Sequence, residues 1–349
     1  MWRPPSLEYL ATLSDDVGVA QHATYDVPNR HEGYCTDDVA RAFIVTIAAS
    51  AYERERETAL RLANTYLAFL LHAQREDGHF ANFMSFARTW LDDVGTHDSN
   101  GRAIWALGVG ARLAPRESWR SVCADRLERA LPNVQGLGYI RSRAYAALGL
   151  VAAFEAGGRK HGGIERALRE IAADLVRRYR TNTAPGWEWF ENELTYDNAR
   201  LPEALLRIGT VLEDRMLIDV GIRTLDFYER LCVEAGIFVP IGNAGWFRRG
   251  GPRARYAQQP LEAASFVDAA LAAEAATGER RYRRLAECGL EWFFGRNSRS
   301  IVMASGGGCY DGLEELGVNR NMGAESTLAY LASAFALARS GADVLQLAR

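Results

Sequence analysis

The sequence predicts an all-α protein, a single (α/α)6 toroid in which six inner helices are wrapped by six outer helices. Helical segments recur along the 349 residues whereas strand patterns are scarce, and these segments are alternately apolar on nearly all sides and amphipathic. The links between them also differ in length in a regular way. A chain of this length can bury a large core, and we expect one catalytic domain over residues 1–349.

Two kinds of helical segment alternate. Segments of small apolar residues predict inner helices buried on most sides, at 41–52, 101–114, 143–156, 199–212, 261–276 and 326–338. Segments with an Arg/Glu face predict outer helices, at 55–73, 117–131, 164–179, 213–231 and 280–294, with a sixth at 5–13. A solenoid is the competing layout, but its repeats would have a regular period, and these intervals are unequal.

The long links run mostly from an outer helix to the next inner helix. They cover 14–36, 74–97, 180–196, 232–258 and 295–323. In an up-and-down ring, such links emerge at the N-terminal ends of the inner helices. Because long loops in a compact domain usually carry function, we expect the site in a central funnel on that face.

Charge and composition exclude several classes. A net charge of −3, with charges spread along the chain, gives no footprint for nucleic acid or an anionic membrane and favours a neutral partner. Lys160 is the only lysine, which excludes a P-loop. Five scattered cysteines without CxxC, no membrane-length apolar run and no secretory h-region indicate a cytoplasmic protein without a metal or organic cofactor. The oligomeric state stays open.

The long links are rich in aromatic, acidic, amide and glycine residues. Sugars stack their CH faces on aromatic rings and need polar partners for their hydroxyls. Anchoring of the loops to the rim explains each aromatic equally well. The candidate platforms are Trp187, Trp189, Trp246 and Tyr310.

Three inner helices open with an acid and an arginine one turn apart, namely Asp37–Arg41, Asp98–Arg102 and Asp197–Arg200. Such acids can cap helices and form ion pairs. Asp37 can cap the helix and form an ion pair with Arg41. Asp38 is then left without an assigned structural partner. Glycosidic cleavage needs two carboxyl groups, one as an acid and the other as base or nucleophile, and the surplus acids fit that need.

The resulting candidates fall into two groups. The catalytic candidates are Asp38, Asp98, Glu191 and Asp197. The substrate-binding candidates, which would orient these acids or hold hydroxyls, are Asp37, Arg41, Arg102, Trp187, Trp189, Asn198, Arg200, Trp246, Gln259, Glu262, Tyr310, Arg320 and Glu325. Sequence spacing leaves open which two carboxylates form the pair.

Five motifs spread over most of the chain carry a family resemblance: QHATYDVPNRHEGYCTDDVARA, HDSNGRAIWALG, LTYDNARLPEAL, ARYAQQPLEAA and GVNRNMGAEST. They resemble a bacterial group of the six-hairpin glycosidase superfamily whose members are often uncharacterised or associated with glycosyltransferases. The resemblance implies the (α/α)6 toroid and glycoside hydrolysis, without assigned catalytic residues. The Asp37–Asp38 dipeptide is similar to the Asp-Asp pair of (α/α)6 endo-mannanases, so a mannoside is one candidate substrate.

The sequence therefore predicts a glycoside hydrolase that acts on an oligosaccharide. A sugar epimerase or isomerase of the same toroid is an alternative; such enzymes resemble a ring with histidines on late inner helices, whereas all six histidines here precede residue 162. A polysaccharide lyase also stays open. A non-catalytic carbohydrate-binding toroid would need the aromatics and amides but not the surplus acids.

Overall fold

The computed structural model describes residues 5–157 and 162–340. Lys160 and His161, which entered the sequence argument, lie outside the described residues. The chain divides into two compact units, here called the N-terminal unit, Ser6–Ile171, and the C-terminal unit, Ala172–Arg349 with Met1–Pro5. The expectation of a single domain over residues 1–349 stays a prediction.

Helices occupy every segment for which the sequence predicts one. The N-terminal unit contains α1 Glu8–Leu13, α2 Thr36–Ala49, α3 Arg56–Ala73, α4 His97–Leu113, α5 Glu117–Ala130 and α6 Ile140–Glu155. Helix α7, Gly162–Asn182, runs from the end of this unit into the next, and the C-terminal unit continues with α8 Arg200–Val211, α9 Arg215–Cys232, α10 Pro260–Thr277, α11 Arg280–Glu291 and α12 Ala324–Arg339. Among the described residues, no helix is long and apolar enough to cross a membrane.

Short antiparallel strands lie in the long links. In the N-terminal unit, β1 Ala20–Thr24, β2 Val27–Cys35 and β3 Phe83–Met84 form one sheet in that order. The C-terminal unit has two-stranded pairs: β4 Glu193–Leu194 with β7 Phe247–Arg248, β5 Val233–Glu234 with β6 Ile237–Phe238, β8 Ala304–Ser305 with β9 Gly308–Cys309, and β10 Gly312–Glu314 with β11 Gly317–Asn319. The β1–β2 hairpin escapes sequence analysis because most of β2 is exposed or partly exposed and lacks apolar alternation.

Glycines set the close approach of the inner helices α4 and α6. A methyl group on Gly108 would lie 1.9 Å from the carbonyl oxygen of Gly149, and one on Gly149 would lie 2.3 Å from the carbonyl oxygen of Ile104. Neither carbonyl can move without disturbing its own helix. These glycines are therefore needed for contact between two backbones.

We expect Gly108→Ala to lower the free energy of unfolding by about 2 kcal/mol, because the added methyl group forces α4 and α6 apart. Urea denaturation followed by circular dichroism measures this loss. Gly136→Ala is the control, since a methyl group there meets nothing within 4 Å. Equal stability of the two variants would contradict the proposed backbone contact.

Candidate functional site

The first acidic cluster of the N-terminal unit lies where β2 passes directly into α2. Cys35 is the N-cap of α2, because its Sγ accepts a hydrogen bond from the backbone N–H of Asp38. Asp37 and Asp38 lie in the first helical turn, where negative charge complements the helix dipole. The expectation that Asp37 caps this helix is therefore wrong, although its pairing with Arg41 is confirmed.

Asp37 is held by two guanidinium groups. It accepts a hydrogen bond from Arg41 of its own helix, and Arg102 Nε of α4 lies 3.0 Å from its Oδ1. Burial alone would raise the pKa of Asp37, but the charges of Arg102 and Arg41 outweigh it and hold the pKa below its usual value. Arg102 is fixed in turn by Tyr145 of α6, with its guanidinium 3.9 Å from the ring centroid. Asp37 is thus an ionised link between α2 and α4.

Asp38 has structural partners, contrary to the sequence expectation. It is only 6% exposed, Arg41 Nη2 lies 3.2 Å from its Oδ1, and the Cys35 thiol donates to its Oδ2 at 3.1 Å. Arg41 contacts both acids because residues three and four positions apart share a helix face. Burial, with the Asp38 and Asp37 charges, raises the pKa of the Cys35 thiol, so it stays a protonated donor.

Of the two catalytic candidates in this unit, Asp98 is partly exposed, whereas Asp38 is buried. Asp98 lies in the first turn of α4, which Thr96 caps by accepting a hydrogen bond from the Ser99 N–H at 3.1 Å. The Ser142 hydroxyl of α6 donates to Asp98 Oδ1 at 2.5 Å, while the residue stays partly exposed. The contacts of Asp37 with α4 and of Asp98 with α6 bring the N-terminal turns of α2, α4 and α6 together, as the sequence predicts.

In the C-terminal unit, the matching acid is completely buried. Asp197 precedes α8 with a left-handed φ of +46°, is 0% exposed, and has Arg200 Nε 3.4 Å from its Oδ1. Asn198 secures this turn: its Oδ1 accepts from the Thr195 N–H at 3.0 Å. The predicted Asp197–Arg200 pair is confirmed, and the strained φ indicates a turn held by its surroundings.

Glu262 lies in the first turn of α10 and holds the turn that contains Asn198. Its Oε2 accepts hydrogen bonds from Tyr228 Oη at 2.7 Å and from Asn198 Nδ2 at 3.1 Å. Its Oε1 is buried and accepts no hydrogen bond from the described residues. Burial, together with the nearby charge of Asp197, raises the pKa of Glu262 to about 7.

Two further acids complete a charge network that sequence analysis missed. Arg200 Nη1 lies 2.6 Å from Glu203 and 2.7 Å from Asp268 of α10, and Arg207 lies 2.7 Å from Glu203. These contacts tie α8 to α10. The signal was present in the sequence, because an acid three residues after an arginine inside an apolar helix is expected to pair with it.

The aromatic candidates divide between core and surface. Trp189 is 0% and Trp187 is 4% exposed; both pack against Phe227, so the expectation that they stack on a sugar is wrong. Aromatic contacts fold their loop inward, and the spacing of residues in the sequence does not indicate these contacts. Trp246 is 36% exposed, and its Nε1 donates to Asn243 at 3.0 Å.

The remaining candidates differ in how far they are exposed to solvent. Among the polar ones, Asn198 and Arg200 are buried. Those at least partly exposed are Arg41, Glu191, Gln259, Tyr310, Arg320 and Glu325. Glu191 is fixed by its backbone, whose carbonyl accepts a hydrogen bond from Trp187 Nε1 at 2.9 Å.

Solved structures share this fold over nearly their whole length. A cellobiose 2-epimerase from Bacillus thermoamylovorans has a TM-score of 0.72, with 12% identity and 96% of each chain covered. A sugar epimerase from a ruminal bacterium has 0.71, with 13% identity and 95% of each chain covered. A GH76 α-mannanase from Bacteroides thetaiotaomicron has 0.67, with 10% identity, covering 96% of this chain and 94% of its own. No protein-family model and no curated protein matches the sequence.

This similarity concerns the fold. It confirms that the chain has the (α/α)6 toroid fold that the sequence predicts. The alternation of apolar and amphipathic segments, with the unequal links between them, therefore predicts the fold correctly.

Proposed function

We propose that the protein is a glycoside hydrolase that cleaves an oligosaccharide by carboxylate acid/base catalysis at the N-terminal turns of its inner helices. The fold supports a sugar substrate, because the solved structures that share it include α-mannanases as well as sugar epimerases and an isomerase. Hydrolysis needs a carboxyl group that reaches the glycosidic oxygen or a water molecule, and a second one with the complementary role.

The partly exposed carboxylate of Asp98 carries this proposal. Asp37 is occupied by two arginines and Asp38 is buried against Cys35 and Arg41. Asp98 is partly exposed, and the hydrogen bond from Ser142 orients its carboxylate. An oriented carboxylate that solvent can reach is suited to proton transfer, and Asp38, on the neighbouring inner helix, is our candidate for the second group within this unit.

Two candidates remain in the C-terminal unit. Glu191 is partly exposed, whereas Asp197 is buried beside a carboxyl group, Glu262, whose pKa is raised to about 7. A carboxyl group whose pKa is raised close to neutral is typical of acid/base sites. We therefore keep both as catalytic candidates, to be separated by single substitutions.

A sugar epimerase or isomerase is the second candidate function. The epimerase structures give TM-scores of 0.71 and 0.72, above the 0.67 and 0.62 of the mannanases. Against it, the five histidines within the described residues are exposed or partly exposed and all lie in the N-terminal unit. The two functions differ in their products, because hydrolysis adds water and epimerisation leaves the mass unchanged.

Digestion of a panel of mannosides and other oligosaccharides in ¹⁸O-labelled water separates these functions. We expect shorter products, each cleavage placing one ¹⁸O atom in a new reducing end, which mass spectrometry detects. An isomeric product of unchanged mass would support the epimerase instead. Binding without any conversion across the panel would indicate a non-catalytic carbohydrate-binding protein.

A further inference from the structure

An exposed group of arginines lies on the long link before α10. Residues 246–256, WFRRGGPRARY, contain four arginines and no acid, and this segment is called the arginine loop below. The whole chain has a formal charge of −3. The loop is therefore a positively charged segment in a chain whose overall charge is negative.

Few carboxylates neutralise this group. Arg253 and Arg255 share a single acid, with Nη2 atoms 2.6 Å and 2.7 Å from the oxygens of Glu234. Arg248 and Arg249 are exposed and form no ion pair with any residue that the structure describes.

A further arginine joins the loop from the link after α11. The Arg299 guanidinium lies 4.8 Å from the ring centroid of Tyr256, where it is exposed and likewise forms no ion pair within the described part of the chain. The neighbouring Ser298 hydroxyl lies 3.0 Å from Gln258 Nε2, so this link is held against the end of the loop.

The strands paired with this segment add only two acids. Glu193 lies opposite Arg248 across the β4–β7 pair, and Glu314 follows Leu313, which bridges Gln258. No ion pair joins either acid to the loop within the described residues, so Arg248, Arg249 and Arg299 keep guanidinium groups without an acidic partner there. Guanidinium groups in excess on an exposed surface attract an anionic ligand.

The arginine loop is also bonded to the segment that carries two catalytic candidates. The Arg249 N–H donates to the Asn192 carbonyl at 2.9 Å, directly next to Glu191. Asp197 lies four residues beyond the strand partner of Arg248, Glu193. A ligand held by these arginines would therefore lie close to carboxylates of the C-terminal unit.

One aromatic side chain gives the loop a second binding feature. Trp246, the first residue of the loop, is 36% exposed, and the hydrogen bond from its Nε1 to Asn243 Oδ1 fixes the ring. A fixed, exposed indole beside guanidinium groups can stack on a sugar whose acidic group pairs with an arginine.

We propose that the arginine loop and Arg299 bind the acidic groups of an anionic oligosaccharide. This inference rests on the proposed function, and it assigns to that function a glycan bearing carboxylate, phosphate or sulfate groups. Arginine binds all three through paired, charge-assisted hydrogen bonds. The expectation of a neutral partner, drawn from overall charge, is replaced by this local argument.

Isothermal titration calorimetry with four trisaccharides tests the proposal: trigalacturonate, a phosphorylated mannotriose, a sulfated galactose trisaccharide and neutral mannotriose. We expect at least one acidic probe to bind roughly tenfold more tightly than mannotriose, because one charge-assisted contact is worth about 1.5 kcal/mol. Comparison of the three acidic probes identifies the anionic group.

A triple variant, Arg248→Gln, Arg249→Gln and Arg299→Gln, should lose this roughly tenfold preference. The matched control replaces Arg223, Arg280 and Arg284, three exposed arginines of the same unit, and should keep it. Three results would overturn the proposal. They are binding of mannotriose as tight as that of the acidic probes, loss of the preference in the control variant as well, and equally tight binding of a single-stranded trinucleotide. Acidic glycans that bind but are never cleaved would refute hydrolysis and leave the loop assignment intact.

Discussion

Replacing Asp98 with asparagine is expected to lower kcat by about a thousandfold on the best substrate of the panel, with KM changed by less than about threefold. The amide keeps the shape of the side chain and can still accept the hydrogen bond from Ser142. It can neither take up nor release a proton at neutral pH, so the chemical step fails while binding persists. Steady-state kinetics of the purified variant measures both constants.

Asp93→Asn is the matched control for this substitution. Asp93 lies in the long link that precedes α4, is exposed, and forms a surface ion pair with Arg75 at 2.9 Å, so its replacement removes the same charge without touching the candidate site. We expect activity within about twofold of the parent, because such pairs contribute little. An Asp98→Asn enzyme that keeps more than about a tenth of kcat would remove Asp98 from the catalytic group.

Glu262→Gln is expected to flatten the pH dependence of stability between about pH 4.5 and pH 7. The folded protein holds the Glu262 proton up to about pH 7, whereas an ordinary glutamate releases it near 4.5. The bound proton therefore stabilises the folded state fully below about 4.5, and this contribution is lost as the pH rises through 7. The shift corresponds to about 3 kcal/mol of unfolding free energy.

Urea denaturation of parent and variant at a series of pH values measures this effect as the difference between their unfolding free energies. The difference should decrease by about 3 kcal/mol as the pH rises across that window. Glutamine keeps an acceptor for Tyr228 and Asn198, so the hydrogen bonds of the turn persist. Glu315→Gln, at an exposed position, is the control. A difference that does not vary with pH would show that folding does not raise the pKa of Glu262, which would contradict this prediction.

The helices could be predicted because their signal is local. The run 143–156 is apolar on nearly all sides, and α6 is buried along nearly its whole length. The stretch 280–294 places its charges on one face, and α11 buries the other. Periodicity of this kind is read from consecutive residues. The β1–β2 hairpin left no such signal, because most of its second strand is exposed or partly exposed without apolar alternation.

The candidate site was predicted only in part, because its contacts join residues far apart in the chain. Asp37 pairs with Arg102 across 65 positions, and Glu262 accepts from Asn198 across 64. The sequence identified each of these residues as a candidate without indicating its partner. The burial of side chains could not be predicted from the sequence either. Trp187 and Trp246 occur in similar loops, yet of these two only Trp246 is exposed.

The sequence by itself determined the order and kind of the helices, the acids that open the inner ones, and the long links that precede them. Those features follow from hydrophobic periodicity and helix-end chemistry, which act over a few residues. Only the tertiary structure decided which acids are neutralised, buried or open to solvent, and which arginines of one link have no ion-pair partner among the described residues. Desolvation and ion pairing depend on distances in space, and a linear sequence does not contain those distances.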